Sequence, residues 1–251
     1  MKEQGRQATL PGVHEAAVAD LSVVIPAYNE ARRLPATLNT LSAYFAGQNR
    51  AVEVIVVDDG SSDGTGELEL PRSRPGGVRW IQLRNQHNRG KGFSVRRGML
   101  AASGERRLFT DADLSAPIEE LEKLERALDG GADIAIGSRC RRELIRAHQP
   151  RLREHAGRVF NCMVRLGLGL PFRDTQCGFK LFRHAAAASV FPRQLSEGWG
   201  FDPELLFLAR RMGFRIEEVP VVWSHAEGAK IHMLGDSLRM AGDILAIRRR
   251  R

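Results

Sequence analysis

Short β-branched runs alternate with helical patterns through the first 140 or so residues, and this rhythm limits the fold more than any other feature of the chain. Leu21–Ile25, Val52–Val57, Val78–Leu83, Arg107–Thr110 and Asp133–Ile136 have the length and apolar density of buried strands. Between them, Glu30–Phe45, Lys91–Ala102 and Ile118–Leu128 read as helices, the last with Pro117 near its first turn. Strands and helices in this order predict an α/β fold: a mostly parallel central sheet flanked by helices. The second half is less regular. It reads as a helix over Arg153–Leu166, a loop and short strand over Asp174–Phe182, a helix over Pro203–Met212 and a strand over Ile216–Trp223. No repeat or low-complexity linker interrupts the chain, so one domain is expected over 19–232. A flexible arm over 1–18 and a basic amphipathic helix over 233–251 flank it.

Open sheets of this kind bind ligands beyond the carboxyl ends of their strands. The polar clusters follow that rule. Pro26-Ala27-Tyr28-Asn29-Glu30, Asp58-Asp59-Gly60-Ser61, Asp111-Ala112-Asp113 and Gly137-Ser138-Arg139 each come directly after a predicted strand, and converge on one crevice.

Asp111-Ala112-Asp113 places two carboxylates two residues apart at a strand end. Such a pair can bind Mg2+ or Mn2+, which would bridge protein carboxylates and substrate phosphates. It also fits a helix N-cap region, where Asp and Ser are common. Asp58-Asp59, expected at a neighbouring strand end, strengthens the metal reading. The run Asp58 to Thr65 fits turn chemistry leading into a capped helix, and equally fits carboxylates accepting from a base N–H or a ribose hydroxyl. Asn88-Arg89-Gly90-Lys91-Gly92 opens a helix, where glycines allow close backbone approach and Arg89 and Lys91 favour phosphate; a plain helix start fits too. The spacing is not that of a Walker loop. Arg139 and Lys180 lie in glycine-containing segments near the crevice and are candidate diphosphate clamps, although each alone also reads as a surface charge.

The net charge of +8 favours acidic partners: phosphates, nucleic acid or an anionic membrane. No aromatic-rich RNA motif or recognition-helix signature supports nucleic acid. Cys140, Cys162 and Cys177 show no paired spacing, which fits a reducing cytoplasm and argues against a disulfide scaffold or zinc site. No apolar run approaches the roughly 20 residues of a membrane span, and the first 20 residues lack the apolar core of a secretory signal.

The ordered set of motifs resembles the inverting family 2 glycosyltransferases of GT-A (Rossmann-like) fold, in particular the polyprenyl- and dolichyl-phosphate glucosyl- and mannosyltransferases. The matching stretches run from Val23-Val24-Ile25-Pro26 and Val56-Val57-Asp58-Asp59 through Thr110-Asp111-Ala112-Asp113, Asp174-Thr175-Gln176-Cys177-Gly178-Phe179-Lys180 and Gly200-Phe201-Asp202-Pro203-Glu204. The resemblance implies that Pro26, Tyr28, Glu30, Asp58 and Asp59 hold the nucleoside. It implies that Asp111 and Asp113 hold the metal and diphosphate, with Ala112 and Lys91 beside the nucleotide. Arg139 and Lys180 would sit near phosphates of donor or acceptor. The glucosyl branch matches best, through Asn88–Gly92, Asp174–Lys180 and Trp223-Ser224-His225, which implies UDP-glucose as donor and a lipid phosphate as acceptor. The alternatives are a family 2 transferase acting on a soluble sugar or polysaccharide hydroxyl, a GDP-mannose-dependent polyprenyl-phosphate mannosyltransferase, and a non-catalytic nucleotide-binding module. A hydroxyl acceptor would require a base, for which Asp202 and Glu204 are the candidates.

With no span in sight, a lipid acceptor implies a cytoplasmic protein in peripheral contact with the inner face of a membrane. Leu234, Leu238, Ala241, Ile244 and Leu245 can form one apolar helical face, and Arg239 with Arg248–Arg251 supply positive charge. Such a helix can lie in an anionic interface, or pack on the protein with its arginines in solvent. The oligomeric state is left open.

Overall fold

The computed structural model describes residues 19–72, 77–147, 161–224 and 247–248 of the chain. Its centre is a seven-stranded sheet of order β3-β2-β1-β4-β7-β5-β8. The strands are β1 (Leu21–Ala27), β2 (Val52–Asp58), β3 (Arg79–Arg84), β4 (Arg106–Thr110), β5 (Ile134–Ser138), β7 (Phe179–Arg183) and β8 (Ile216–Pro220). A second, two-stranded sheet pairs β6 (Ile145–Ala147) with β9 (Trp223–Ser224). The helices are α1 (Leu34–Phe45), α2 (Lys91–Ala101), α3 (Leu121–Asp129), helical residues 161–168 (α4), α5 (His184–Val190) and α6 (Phe201–Arg211).

β1 and β2 are buried along their whole length, which explains why both are nearly continuous apolar runs. Their side chains divide between two cores. Leu21, Val23 and Ile25, with Val54 and Val56, pack with Leu34, Leu38 and Leu41 of α1 and with Leu121, Leu124 and Leu128 of α3. Val24, Ile55 and Val57 face the other way, towards Val95 and Met99 of α2 and Phe201, Leu205 and Leu206 of α6. The period-2 alternation of the strands and the stripes on the helices thus make three layers, helix on sheet on helix. β3 is the open edge beside β2 and carries Arg79 and Arg84, charges that discourage edge-to-edge pairing.

Boundaries, one strand direction and one strand order differ from the sequence reading. The helix expected from Glu30 begins at Leu34, because residues 30–33 form a turn and Pro35 sits in the first helical turn. The single strand expected over Ile216–Trp223 ends at Pro220, and Trp223 crosses to the second sheet beside Ile145. β7 runs antiparallel between β4 and β5. Asp58-Asp59 was expected at a strand end next to that of Asp111, but β1 lies between β2 and β4. The arm over 1–18, most of the expected helix over Arg153–Leu166 and the segment 233–251 lie outside the described residues, except for 161–168, Ile247 and Arg248. Ile247 is buried in the core that holds α2 and α6.

The α2 layer rests directly on the sheet at Gly98, where an added Cβ would collide with Val24 Cγ1 and come within 3.0 Å of Val57 Cγ2. Both neighbours are short, stiff side chains in the centre of the sheet. Gly98→Val is therefore expected to lower the unfolding free energy in urea by about 1–3 kcal/mol, the usual cost of overpacking. Unchanged stability would mean that α2 shifts outward freely.

Candidate active site

The loops after β1, β2 and β4 are held by their own side chains. Asn29, with φ of 53°, and Leu114, with φ of 46°, are the two non-glycine residues in the left-handed region among the described residues, and both lie in these loops. Such strain persists only where the surroundings fix it, and it collects at functional sites. The surroundings are explicit at Asn29: its N–H donates to Ser61 Oγ at 2.8 Å, and its Oδ1 accepts from the Ser62 N–H at 3.0 Å. The Glu30 N–H donates to Thr65 Oγ1 at 2.7 Å. The loop after β1 is thus tied to the loop after β2. Tyr28 projects from it, 39% exposed, while Pro26 lies inside β1 and is buried.

Asp58 and Asp59 are both buried and do different things. Asp58 Oδ1 accepts from the Ser61 N–H at 3.1 Å and its Oδ2 lies 3.1 Å from Arg84 Nε, so it shapes the β2 turn. Asp59 reaches the next loop, accepting from Asn85 Nδ2 at 2.7 Å and from the Arg89 and Gly90 N–H groups at 3.0 and 2.7 Å. Asp59 therefore fixes the entry to α2 and with it the position of Lys91.

The glycines of that entry do allow close backbone approach, but the chain itself makes it. A Cβ on Gly90 would meet Glu197 O at 2.5 Å, and one on Gly92 would meet Ser196 O at 2.6 Å. The Phe93 N–H donates to Glu197 O, and Arg89 pairs with the Glu197 carboxylate. Arg89, Gly90 and Gly92 thus dock the loop over 194–200. Glu204 secures that loop, its Oε2 accepting from Leu195 and Ser196 N–H at 3.1 and 2.7 Å. Trp199, on the same loop, lies with its ring centroid 5.2 Å from Lys91 Nζ.

Lys91 forms an ion pair with Asp111 Oδ1. Burial disfavours the ammonium, but Asp111, Asp202 and Asp113 outweigh it and hold Lys91 above the usual lysine range. Asp113 Oδ1 accepts from Ser115 N–H and Oγ at 3.0 and 2.8 Å, and its Oδ2 lies 3.6 Å from Arg33 Nη1. Arg33 is gripped by both oxygens of Glu30 at 2.5 and 2.7 Å, so Glu30 acts on the site through Arg33. Ala112 is buried and its carbonyl accepts from Thr37 Oγ1 at 2.6 Å, which anchors the turn to α1.

Antiparallel β7 delivers the remaining residues. Its first residue, Phe179, pairs with Thr110, so Gly178 arrives against Asp111. Any side chain at Gly178 would run into the Asp111 carboxylate. One residue into the strand, Lys180 is completely buried, donating to Cys177 O at 2.6 Å and pairing with Asp202. The position expected to clamp phosphate thus holds a carboxylate from beneath the crevice. Burial raises the Asp202 carboxyl, against the pull of Lys180 and Lys91. Burial also pushes the Cys177 thiol up to about 12, so it stays protonated.

Arg139 makes a two-pronged contact with Asp174, Nε to Oδ2 at 2.7 Å and Nη2 to Oδ1 at 2.9 Å. Glu218 on β8 holds the Asp174 segment by accepting from the Arg173 and Asp174 N–H groups at 2.9 and 2.8 Å.

Asp111, Asp113, Lys91, Lys180 and Asp202 thus form one charged group at the β4 end. Pro26, Tyr28, Glu30, Asp58 and Asp59 belong to the adjoining β1 and β2 loops. Among the described residues no group of three or more His, Cys, Asp or Glu side chains could hold a metal by itself. Asp111 and Asp113 still fit a hard divalent cation, as half-exposed carboxylates on one turn, provided that a diphosphate and water complete the shell.

The sequence pattern of glycosyl transferase family 2 matches residues 22–191. The chain belongs to that family. Among its relatives, a Drosophila melanogaster dolichyl-phosphate beta-glucosyltransferase is 38% identical over 96% of this chain and 78% of its own length. The Homo sapiens dolichyl-phosphate beta-glucosyltransferase is 36% identical over 100% of this chain and 81% of its own. Among solved structures, glucosyl-3-phosphoglycerate synthase from Mycobacterium tuberculosis in complex with UDP superposes with a TM-score of 0.64 at 22% identity, covering 91% of this chain and 80% of that one. Another structure of that enzyme, with Mn2+, UDP-glucose and phosphoglyceric acid, gives 0.65. The expected α/β fold with a mostly parallel sheet, and the family 2 resemblance, both hold.

The Arg139–Asp174 pair has a pH signature. Burial alone would raise the Asp174 carboxyl, but Arg139 and the N–H groups of Arg139 and Gln176 pull it down to about 2. A depressed carboxyl contributes stability that is complete above its unfolded value of about 3.9 and is lost as pH falls through the folded value. Arg139→Gln should cost about 2 kcal/mol in urea unfolding at pH 7. The gap from wild type should narrow below about pH 4; a gap that stays constant to pH 2.5 would rule out the pair as its source.

Proposed function

We propose that this family 2 enzyme transfers glucose from UDP-glucose to the phosphate of a polyprenyl or dolichyl lipid, with inversion at the anomeric carbon. The relatives that align with nearly the whole chain are named dolichyl-phosphate beta-glucosyltransferases, which supports glucose as the sugar and a lipid phosphate as the acceptor. One observation favours the phosphate acceptor over a sugar or polysaccharide hydroxyl. Both carboxylates that could serve as a base are committed: Asp202 is buried against Lys180, and Glu204 holds two backbone N–H groups. A phosphate monoester has a second pKa of about 6 and is already ionised at pH 7, so it needs no base. Its oxygen bonds to the anomeric carbon as the bond from that carbon to the β-phosphate oxygen breaks, and UDP departs with the electron pair.

In this reading Asp111 and Asp113 hold Mg2+ or Mn2+, which supplies positive charge where the departing diphosphate gathers negative charge. Lys91 adds a second positive charge on the same side. Glu30, Asp58 and Asp59 set the loops that take the nucleoside, with Pro26 and Tyr28 beside it and Ala112 fixing the turn between the two carboxylates. Lys180 acts through Asp202, and Arg139, paired with Asp174, serves a phosphate of donor or acceptor.

Asp113→Asn should reduce turnover by orders of magnitude with the circular dichroism spectrum unchanged, and excess EDTA should do the same to wild type. Full activity in either case would remove the metal from the reaction. Calorimetry with Mn2+ present should show UDP binding more tightly than GDP. A preference for GDP would instead support the mannosyl alternative.

The acceptor lies in a bilayer, and among the described residues no helix is long and apolar enough to cross one. Peripheral contact through the basic segment 233–251 completes the proposal. Ile247 packs in the core, so the test falls on the basic residues from Arg248 onward. Each basic residue near an anionic surface contributes about 1 kcal/mol. Replacing Arg248, Arg249, Arg250 and Arg251 together by glutamine should weaken co-sedimentation with anionic vesicles at low salt. Equal binding by both forms would place the contact elsewhere.

A further inference from the structure

Three acids of the charged group each have a cation in place, and the three cations are held very differently. Lys180, opposite Asp202, is completely buried and tied also to Cys177 O. Arg33, near Asp113, is gripped by both oxygens of Glu30. Lys91, opposite Asp111, is at the first residue of α2 with its side chain 18% exposed, and besides Asp111 its ammonium faces the half-exposed Trp199 ring. Arg33 is more exposed, at 31%, but is fixed by Glu30; Lys91 is the partly exposed lysine, carried on a flexible four-carbon stem.

Asp111 has little room for two cations. Lys91 occupies Oδ1, and Gly178 packs so closely on the carboxylate that even a Cβ there would collide with it. A divalent ion arriving at this carboxylate meets a like charge already held on Oδ1, and the two repel at short range.

We propose that Lys91 is an exchangeable counter-ion: it neutralises Asp111 in the empty enzyme and passes to the donor diphosphate when a divalent cation takes Asp111. This rests on the proposed role of Asp111 and Asp113 as metal ligands. Its consequence is a coupling between metal and nucleotide. A metal ion alone must dislodge the ammonium with no anion to receive it, so it binds weakly. With the diphosphate present, both positive charges have partners, so each ligand tightens the other by the same factor. Asp202, already matched by Lys180, offers the displaced ammonium no free carboxylate.

The test is Mn2+ binding, read from the electron paramagnetic resonance signal of the free ion, for wild type, Lys91→Met and Lys91→Arg, with and without UDP. UDP should raise the affinity of wild type for Mn2+ by about fivefold or more, the lower end of common coupling between sites. Lys91→Met should bind Mn2+ alone more tightly than wild type by a similar factor and respond less to UDP, and Lys91→Arg should behave as wild type. Wild type that binds Mn2+ equally well with and without UDP overturns the exchange, whatever the variants do. So does a Lys91→Met protein whose affinity for Mn2+ alone is unchanged or weaker. Wild type that binds no Mn2+ even with saturating UDP overturns the metal reading, and the exchange with it.

Discussion

The crevice depends on a strand that runs against its neighbours. β7 enters the sheet between β4 and β5 from the end where the other strands leave it, and its register with β4 puts Phe179 opposite Thr110. That one reversal sets Gly178 on the Asp111 carboxylate, buries Lys180 under the same point and carries Asp174 to Arg139. A parallel strand in that place would bring its amino end to the opposite edge of the sheet, and none of these residues would meet. The pairing of Lys180 with Asp202 then fixes the first turn of α6, whose Glu204 orders the loop bearing Trp199.

The site is organised by carboxylates that serve the chain before any ligand arrives. Asp59 holds the α2 entry, Glu204 holds the 194–200 loop, Glu30 holds Arg33 and Glu218 holds Asp174. Carboxylates taken out of water are costly unless hydrogen-bonded, and each of these, whether buried like Asp59 and Glu204 or partly buried like Glu30 and Glu218, finds backbone N–H or guanidinium donors. The result is a rigid frame around Asp111, Asp113 and Lys91, the group with both charge and access. Rigid loops lower the reorganisation needed when charge develops on a leaving group.

Periodicity made the sheet legible. Continuous apolar runs at Leu21 and Val52 marked strands buried on both faces, and polar residues directly after them marked the carboxyl edge. The place of Asp111 directly after β4 was legible as well, although the sequence left Asp111-Ala112-Asp113 equally open to a capping role, and Asp113 does accept from Ser115. What stayed hidden arises from contacts between residues distant in sequence. Nothing near Phe179 signals an antiparallel strand, because a five-residue strand such as Phe179–Arg183 looks the same in either direction. The glycines at 90 and 92 announced a close approach without naming the partner, which is the backbone at 196 and 197. Lys180 carried the charge of a phosphate ligand, yet its burial follows from a register set by Phe109 and Ile136 on the flanking strands. The strained backbone at Asn29 and Leu114 could have been suspected only for Asn, which tolerates the left-handed region.

The account stands on the product formed. Purified protein incubated with UDP-glucose, radiolabelled in the sugar, with Mn2+ and polyprenyl phosphate in detergent should move label into the organic phase as an acid-labile glucosyl phosphate. Nuclear magnetic resonance of that product should show the β-anomer, inverted from the α-linked donor. An α-linked product, or label that stays with water-soluble acceptors whatever lipid phosphate is supplied, would contradict it.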